Sequence, residues 1–459
     1  MDYDVAVIGG GPAGYVAAIK AAQLGGCAAL FEKDIVGGTC LNRGCIPTKT
    51  YVKAAEYLHH IENAKTFGIT VDVGSVRVDM PRLVAFKDTV VKKLTGGVAS
   101  LLKSNGVEVV RGEAKLEDEH TVSSGDKRWA AKNVILCGGS VAGRIPVPGI
   151  DHPKVLTSDG ILAIRETPRR LAVIGGGVIG CEIATAFKAF GSDVTLVEAL
   201  PRLVGNMDGE ISDAILKTFR KNGIKVLLSA KLVSVSDRNG SPVLSVEGEG
   251  DIESDAVLLS VGRSPDLTCL GAMSGKIATE RGRIITDDHM RTNVKGMFAA
   301  GDVVAALPML AHAAFKMGEV AAMNAMGRDK KANLKNVPGC LYTIPEASSV
   351  GLTEEEASTK YDISVGKFPM TANGRTLASG ERGGFIKVII EKKYGEILGV
   401  HMVGESATEL ISEAAAIMEM EITAHEAAEI IHPHPTFGEA FMEACADALG
   451  RCIHLPPKK

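Results

Sequence analysis

No run of about eighteen apolar residues occurs in this chain, so nothing in it reads as a membrane-spanning helix. Neither sign of charge dominates. The formal net charge is −4 over 459 residues, which excludes the basic field that nucleic acid or an anionic membrane would favour. Room for a targeting segment is lacking too, since Met1 is followed at once by DYDVAVIGGG, and the expected compartment is the cytoplasm. The nine cysteines are odd in number and scattered from Cys27 to Cys452, which does not describe a secreted disulfide framework. In the cytoplasm the disulfides that do occur tend to be catalytic or redox-sensing. What is present, 46% apolar and 23% charged residues, suits a soluble globular enzyme, and the length implies about three domains.

Residues 5–19, VAVIGGGPAGYVAAI, align with residues 171–185, LAVIGGGVIGCEIAT. Each is an apolar strand, then G-x-G-x-x-G, then small residues suited to a helix packed on a sheet. The glycines are Gly9, Gly11 and Gly14 in the first and Gly175, Gly177 and Gly180 in the second, with Pro12, Ala13, Val178 and Ile179 between them. The first glycine permits the tight turn, the second lets backbone approach a pyrophosphate, and the third allows close helix–strand packing. The following helix N-terminus offers free N–H groups to phosphate. Glycine-rich turns alone are weak evidence, but each repeat is followed by a strand ending in an acid eighteen residues past its third glycine, Glu32 and Glu198. A carboxylate there can accept from a ribose diol, so two dinucleotide sites are expected.

VILCGGS (134–140) and MFAAGD (297–302) each read as a buried strand entering a glycine turn, the second ending in Asp302, placed to hold a sugar-like chain. The helical pattern after Asp302 would return to the first nucleotide domain. That domain is therefore expected in two parts, 1–143 and 271–340, around an inserted second one at 144–270. Residues 341–459 read as a separate α+β domain.

GGTCLNRGCIPTK (37–49) carries two cysteines, Cys40 and Cys45. They could be metal ligands, inert neighbours, or a redox pair. A metal would need a second pair of ligands at suitable spacing, and Cys137 and Cys181 are isolated. In an undistorted helix positions i and i+5 lie roughly 8.6 Å apart, beyond the ~7 Å that a disulfide spans. A bridge therefore needs an irregular turn, which Gly44 permits. Such a bridge would be more easily reduced than a structural staple. Lys49 follows Cys45 by one helical turn, and a cation there lowers the cost of a thiolate or a reduced, anionic flavin.

With GGGVIGCE, VGRSPD, FAAGD, MLAHAA, YTIPEASSVGLT and HPHPTFGE in the same order, the whole chain resembles the pyridine nucleotide–disulfide oxidoreductases. It is most similar to the branch that oxidises dihydrolipoamide. The resemblance implies an α/β fold of two Rossmann-like FAD- and NAD(P)-binding domains with a C-terminal α+β dimerisation domain. It implies FAD at the first fingerprint with Glu32, Lys33, Gly38, Thr39, Lys49, Gly112, Ser140, Asp302 and the stretch Met309, Leu310, Ala311, His312 and Ala313. NAD would lie at the second fingerprint with Glu198, Leu232 and Gly262. Glu182 would pair with Lys49, Cys40 would exchange with substrate, and Cys45 would face the flavin. The family's His-Pro-Thr pattern falls on His434, with Glu439 orienting the imidazole and a cis bond before Pro435, while His432 is assigned a structural role. The base would reach the other subunit's disulfide, so a homodimer with a shared active site is implied. No metal is.

The implied reaction passes electrons from a protein-bound dithiol through the Cys40–Cys45 disulfide and FAD to NAD⁺. No lipoyl domain or Ala/Pro linker is fused to the chain, so the lipoyl group would come from a 2-oxoacid dehydrogenase or glycine-cleavage partner. A glutathione reductase would use NADPH and need arginines after the second strand, where this chain has Glu198 and then Arg202 as the only nearby guanidinium. Mercuric reduction is disfavoured because Cys445 and Cys452 are not adjacent. A third reading is a subunit whose main duty is docking into a larger assembly. Two stretches depart from the family pattern: CGGS, with Cys137 and Gly138 in place of Ala-Thr, and AAFKMGE after MLAH.

Overall fold

The segment YDVAVI, Tyr3–Ile8, is buried at every position but Asp4, as expected of a strand covered on both faces. It lies in a computed structural model that describes residues 1–381 and 383–457. The chain divides into two compact units, one of Met1–Thr48, Pro81–Gly143 and Gly262–Leu334, the other of Lys49–Met80, Arg144–Val261 and Lys335–Lys459.

In the first unit Tyr3–Ile8 pairs in parallel with Ala28–Glu32 on one side and Lys127–Leu136 on the other. Glu108–Arg111 extends the sheet past Ala28–Glu32, and Met297–Ala299 joins Lys127–Leu136. Thr121–Ser124 and Ala114–Leu116 add antiparallel strands. The helix Pro12–Gln23 starts on proline, whose missing N–H costs nothing in a first turn, and buries Ala13, Gly14, Ala17, Ala18 and Ala21. This face of small residues lets the helix Ala311–Ala325 approach closely: a Cβ at Gly318 would stand 2.2 Å from the Ala13 carbonyl oxygen. The glycine inside AAFKMGE is thus a packing requirement. Strand 297–299 and helix 311–325 bring the chain back to the sheet it began in.

The second unit contains a five-stranded parallel sheet in the order Lys225–Leu227, Asp193–Val197, Arg170–Ile174, Ala256–Leu259, Val155–Leu156. An antiparallel ribbon of Leu232–Arg238, Ser241–Val246 and Gly250–Glu253 shares its core through Val235 and Leu244. Its C-terminal part is an antiparallel sheet in the order Gly339–Leu341, Glu346–Gly351, Ile397–Gly404, Phe385–Glu391, Ile363–Pro369. Ile386, Val388, Val400, Met402 and Phe441 form its core with the helices Ala407–Glu419 and Glu439–Ala448. Lys387 sits on a central strand of this sheet at 1% exposure, its charge met by Asp208 at 2.6 Å and Glu354 at 2.9 Å. The fold is α/β with two doubly wound nucleotide-binding sheets and an α+β C-terminal part. Among the described residues no helix is long and apolar enough to cross a membrane.

Candidate active site

Gly9 and Gly175 open the two glycine loops at φ +102° and +103°, a region that excludes most side chains. A Cβ at Gly14 would lie 1.7 Å from the Gly9 oxygen, and one at Gly180 would lie 1.9 Å from the Gly175 oxygen, so both third glycines are fixed by packing. The middle glycines differ. A Cβ at Gly11 would meet only the Gly38 Cα at 3.8 Å, and one at Gly177 would meet nothing within 4 Å. Their small size serves no protein contact and leaves a cradle that a pyrophosphate fits.

The two acids are held alike. Glu32 Oε2 accepts from Gly10 N at 2.6 Å and Oε1 from Asp34 N at 2.8 Å. Glu198 Oε2 accepts from Gly176 N at 2.5 Å and Oε1 from Leu200 N at 2.7 Å. A carboxylate has about four lone-pair sites, so each retains capacity for a ribose diol. A cleft of about 690 Å³ adjoins Glu32, lined by Ile35, Lys92, Gly96, Ala99 and Arg111 among others. Arg202 is held by Glu355 through two N–O contacts of 3.0 and 3.1 Å, so its guanidinium is already engaged.

In the first unit Ser140 Oγ donates to Asp302 Oδ2 at 2.5 Å. Arg263 donates to Ser140 Oγ at 2.7 Å, to the Ser140 carbonyl at 2.6 Å and to Thr39 Oγ1 at 3.3 Å. Because Arg263 can only donate, the Ser140 hydroxyl must direct its own proton to Asp302. Sequence reasoning singled out VGRSPD without assigning Arg263, and its arginine and acid were the available signal. Asp266 of the same motif pairs with Lys33 at 2.9 Å. Within CGGS, Ser140 pairs with Pro265, and a Cβ at Gly138 would lie 2.4 Å from the Asp266 carbonyl oxygen, so that position is closely packed. Gly112 turns at φ +145°, its N–H donating to the Glu32 carbonyl at 3.0 Å. Met309 and Leu310 precede the helix that Ala311, His312 and Ala313 begin.

Cys40 lies in the short helix Gly38–Arg43, and Cys45 begins the helix Cys45–Asn63. Gly44 between them has φ −132° and ψ −106°, so the helix is broken between the thiols, as a bridge requires. A Cβ at Gly44 would come within 3.0 Å of the Thr39 oxygen, and one at Gly38 within 2.5 Å of Gly11 Cα. The cysteine segment is thereby seated on the first glycine loop. Both thiols are half-buried, and Cys45 heads a helix N-terminus, which favours a thiolate. Burial instead pushes the thiols of Cys137, Cys181 and Cys445 far up and keeps them inert. Among the described residues no three His, Cys, Asp or Glu side chains converge to hold a metal ion.

Lys49, one turn after Cys45, meets Glu182 at 2.7 and 2.9 Å, and Glu182 is 2% exposed. Tyr342 N donates to Glu182 Oε1 at 3.0 Å. Leu232 is buried in the apolar core and pairs with Val246 in the antiparallel ribbon. Gly262 falls in the first unit, in the turn before Arg263–Pro265, where its carbonyl accepts from Gly143 N at 2.8 Å.

The two neighbouring histidines diverge. His432 is 6% exposed, with Nε2 on Glu413 at 2.7 Å and Nδ1 on the Ile430 carbonyl at 2.9 Å. His434 is 78% exposed, with Nδ1 on Glu439 Oε1 at 2.8 Å, and its bond to Pro435 is cis. Burial raises the Glu439 carboxyl, but hydrogen bonds from Thr436 N and His434 outweigh it and hold the group below its ordinary value.

Residues 3–318 match the family described as pyridine nucleotide-disulphide oxidoreductase, and residues 337–445 match that family's dimerisation domain. The chain belongs to this family. A dihydrolipoyl dehydrogenase of Thermus scotoductus is 41% identical, with 99% of each chain covered. One of Bacillus subtilis is 38% identical over 98% of this chain and 99% of its own. Among solved structures, the HOCl-induced flavoprotein disulfide reductase RclA from Escherichia coli superposes with a TM-score of 0.87 at 28% identity, covering 96% of this chain and 99% of that one.

Proposed function

We propose that the chain oxidises protein-bound dihydrolipoamide to lipoamide and reduces NAD⁺ to NADH, the activity of a dihydrolipoyl dehydrogenase. The observation that carries this reading is an exposed imidazole held at Nδ1 by Glu439, in a chain that also bears a thiol pair across a helix break on a dinucleotide loop. Residues 1–143 and 271–340 bind FAD, 144–270 bind NAD, and 341–459 form the homodimer interface. The cradle at Gly11, the acceptor at Glu32 and the Ser140–Asp302 pair fit FAD, and the cradle at Gly177 with Glu198 fits NAD. Bound FAD supplies the conversion between two-electron thiol chemistry and hydride transfer.

His434, its Nδ1 occupied, uses Nε2 to take a proton from one substrate thiol. The resulting thiolate attacks Cys40 Sγ of the Cys40–Cys45 disulfide, forming a mixed disulfide and releasing Cys45 as a thiolate favoured by its helix N-terminus. The second substrate thiol then displaces Cys40, its proton passing to the leaving Cys40 sulfur, and the substrate leaves as a cyclic disulfide, while the protein keeps two electrons as the Cys40 thiol and Cys45 thiolate, with the first proton on His434. The 78% exposure of His434 fits a base that serves the other subunit's thiol pair. Lys49, one helical turn after Cys45, carries a positive charge that Glu182 compensates. The partner is a lipoyl domain or lipoyl carrier of a 2-oxoacid dehydrogenase or glycine-cleavage complex. A reducing, cytoplasmic setting suits the unbridged Cys137, Cys181 and Cys445.

Glu198 would repel a 2′-phosphate, and Arg202 is engaged by Glu355, which disfavours a glutathione reductase running on NADPH. The test is a steady-state comparison of lipoamide and glutathione disulfide with NADH and NADPH. Yellow protein that reduces lipoamide with NADH is the expected result. Turnover of glutathione disulfide with NADPH would refute the reading, and partner binding without turnover would favour a docking subunit.

A further inference from the structure

Tyr342 touches both members of the Lys49–Glu182 pair, yet the reaction above gives it no task. Its main-chain N–H donates to Glu182 Oε1 at 3.0 Å, and its ring face lies 4.2 Å from Lys49 Nζ. The Lys49 ammonium therefore has a carboxylate on one side, at 2.7 and 2.9 Å, and a π-face on another. The residue is itself well anchored, directly after the strand Gly339–Leu341, whose register on Glu346–Gly351 is fixed by three pairs. Burial, with Cys340 adding to it, pushes the phenol up to about 12, so it stays protonated and offers its ring rather than a titrating group. An ammonium on a flexible four-carbon stem has several rotamers open to it. A carboxylate alone fixes its distance, whereas an aromatic face opposite the carboxylate fixes its direction.

We propose that Tyr342 is a positioning residue for the reaction: its ring holds the Lys49 ammonium in place through a cation–π contact while its N–H holds Glu182, so that the positive charge stands at one point, one helical turn after Cys45. The inference rests on the reading that Lys49 serves the flavin. The Tyr342 ring acts only through Lys49, and that makes it separable from a packing residue.

The experiment compares Tyr342→Leu, Tyr342→Phe, Lys49→Met and the Tyr342→Leu/Lys49→Met double variant in the holoenzyme. Three quantities are read: the rate at which NADH bleaches the bound flavin, the flavin midpoint potential, and Tm. Tyr342→Leu should slow bleaching by about three- to tenfold, the range a partly desolvated cation–π contact supports, and make the potential more negative. Tyr342→Phe, which keeps the face, should stay within about twofold of the parent. In the Lys49→Met background, Tyr342→Leu should add nothing to bleaching or potential, because the group it acts through is gone. Should Tyr342→Leu fail to fold, pentafluorophenylalanine at position 342 keeps the shape and reverses the ring's polarity, and it should reproduce the Leu effect. An unchanged potential in Tyr342→Leu beside an impaired Lys49→Met would overturn the inference alone. So would a full Tyr342→Leu effect that persists without Lys49. Wild-type bleaching in Lys49→Met would instead overturn the reading beneath it, and the inference with it.

Discussion

At Gly10 and at Gly176 the same pair of events occurs. The N–H donates to a glutamate carboxylate, at 2.6 and 2.5 Å, and the carbonyl accepts from a returning segment, Gly37 N at 2.7 Å in one case and Val204 N at 2.8 Å in the other. The two loops part company in what those segments carry. The first runs on from Gly37, at φ +100°, into the helix of Cys40, with Gly38 pressed against Gly11. The second has a β-branched residue, Val204, held at φ +42° and 1% exposed, and runs on to Asp208, which caps the helix Gly209–Lys221, with no cysteine on the way. Two residues past the third glycine the contrast recurs, with Val16 in the first repeat and Glu182 in the second. One backbone device therefore recurs in both loops, and a few attached residues distinguish the loop that carries the two cysteines from the one that carries the acid holding Lys49.

If that division is right, Cys40→Ser should cut the first loop's chemistry from the second's. Lipoamide turnover should vanish, because no exchanging sulfur remains. FAD should stay bound, and NADH should still reduce an artificial acceptor at close to the parent rate. Wild-type lipoamide rates in this variant would end the role proposed for Cys40. His434→Gln should be the next largest effect, a fall of about two orders of magnitude in thiol turnover, the usual scale for a general base. His432→Gln should mainly lower Tm, since that imidazole is buried between Glu413 and the Ile430 carbonyl. A larger kinetic loss at position 432 than at 434 would mean the base is misassigned.

What the residues alone make legible follows from how local the cause is. The glycine loops, their acids and the helix break at Gly44 are read from a dozen neighbouring positions, because turn chemistry and strand burial are local. The return of 297–325 to the first sheet is visible as a strand and a helix, yet its need for Gly318 depends on an Ala13 carbonyl far away in sequence. Arg263 and Tyr342 show no periodicity and no cap. Their importance lies in contacts to Ser140 and Thr39, and to Lys49 and Glu182, that only packing creates. Lys387 is the extreme case: FIKVII reads as a strand with one charge, and its partner Asp208 lies 179 residues away. The cleft beside Glu32 has a related cause: Lys92, Gly96 and Ala99 lie on the helix Met80–Ser104 and line it only through packing.

The smallest effect tests the loops against each other most finely. Gly180→Ala places a methyl about where the Gly175 oxygen stands, 1.9 Å from its centre, so backbone must move. That overpacking should cost about 3 kcal/mol or more and lower Tm by several degrees, because the displaced group is main chain and cannot rotate away. Gly177→Ala, three residues earlier, meets no protein atom within 4 Å and sits at φ −75°, which alanine adopts freely. Its Tm should therefore match the parent. Only a ligand can feel the new methyl, so the KM for NADH should rise about tenfold while FAD content is unaffected. A parent-like KM in Gly177→Ala would show that the second cradle is not where the pyrophosphate lies, and the equivalence of the two loops would reduce to shared packing.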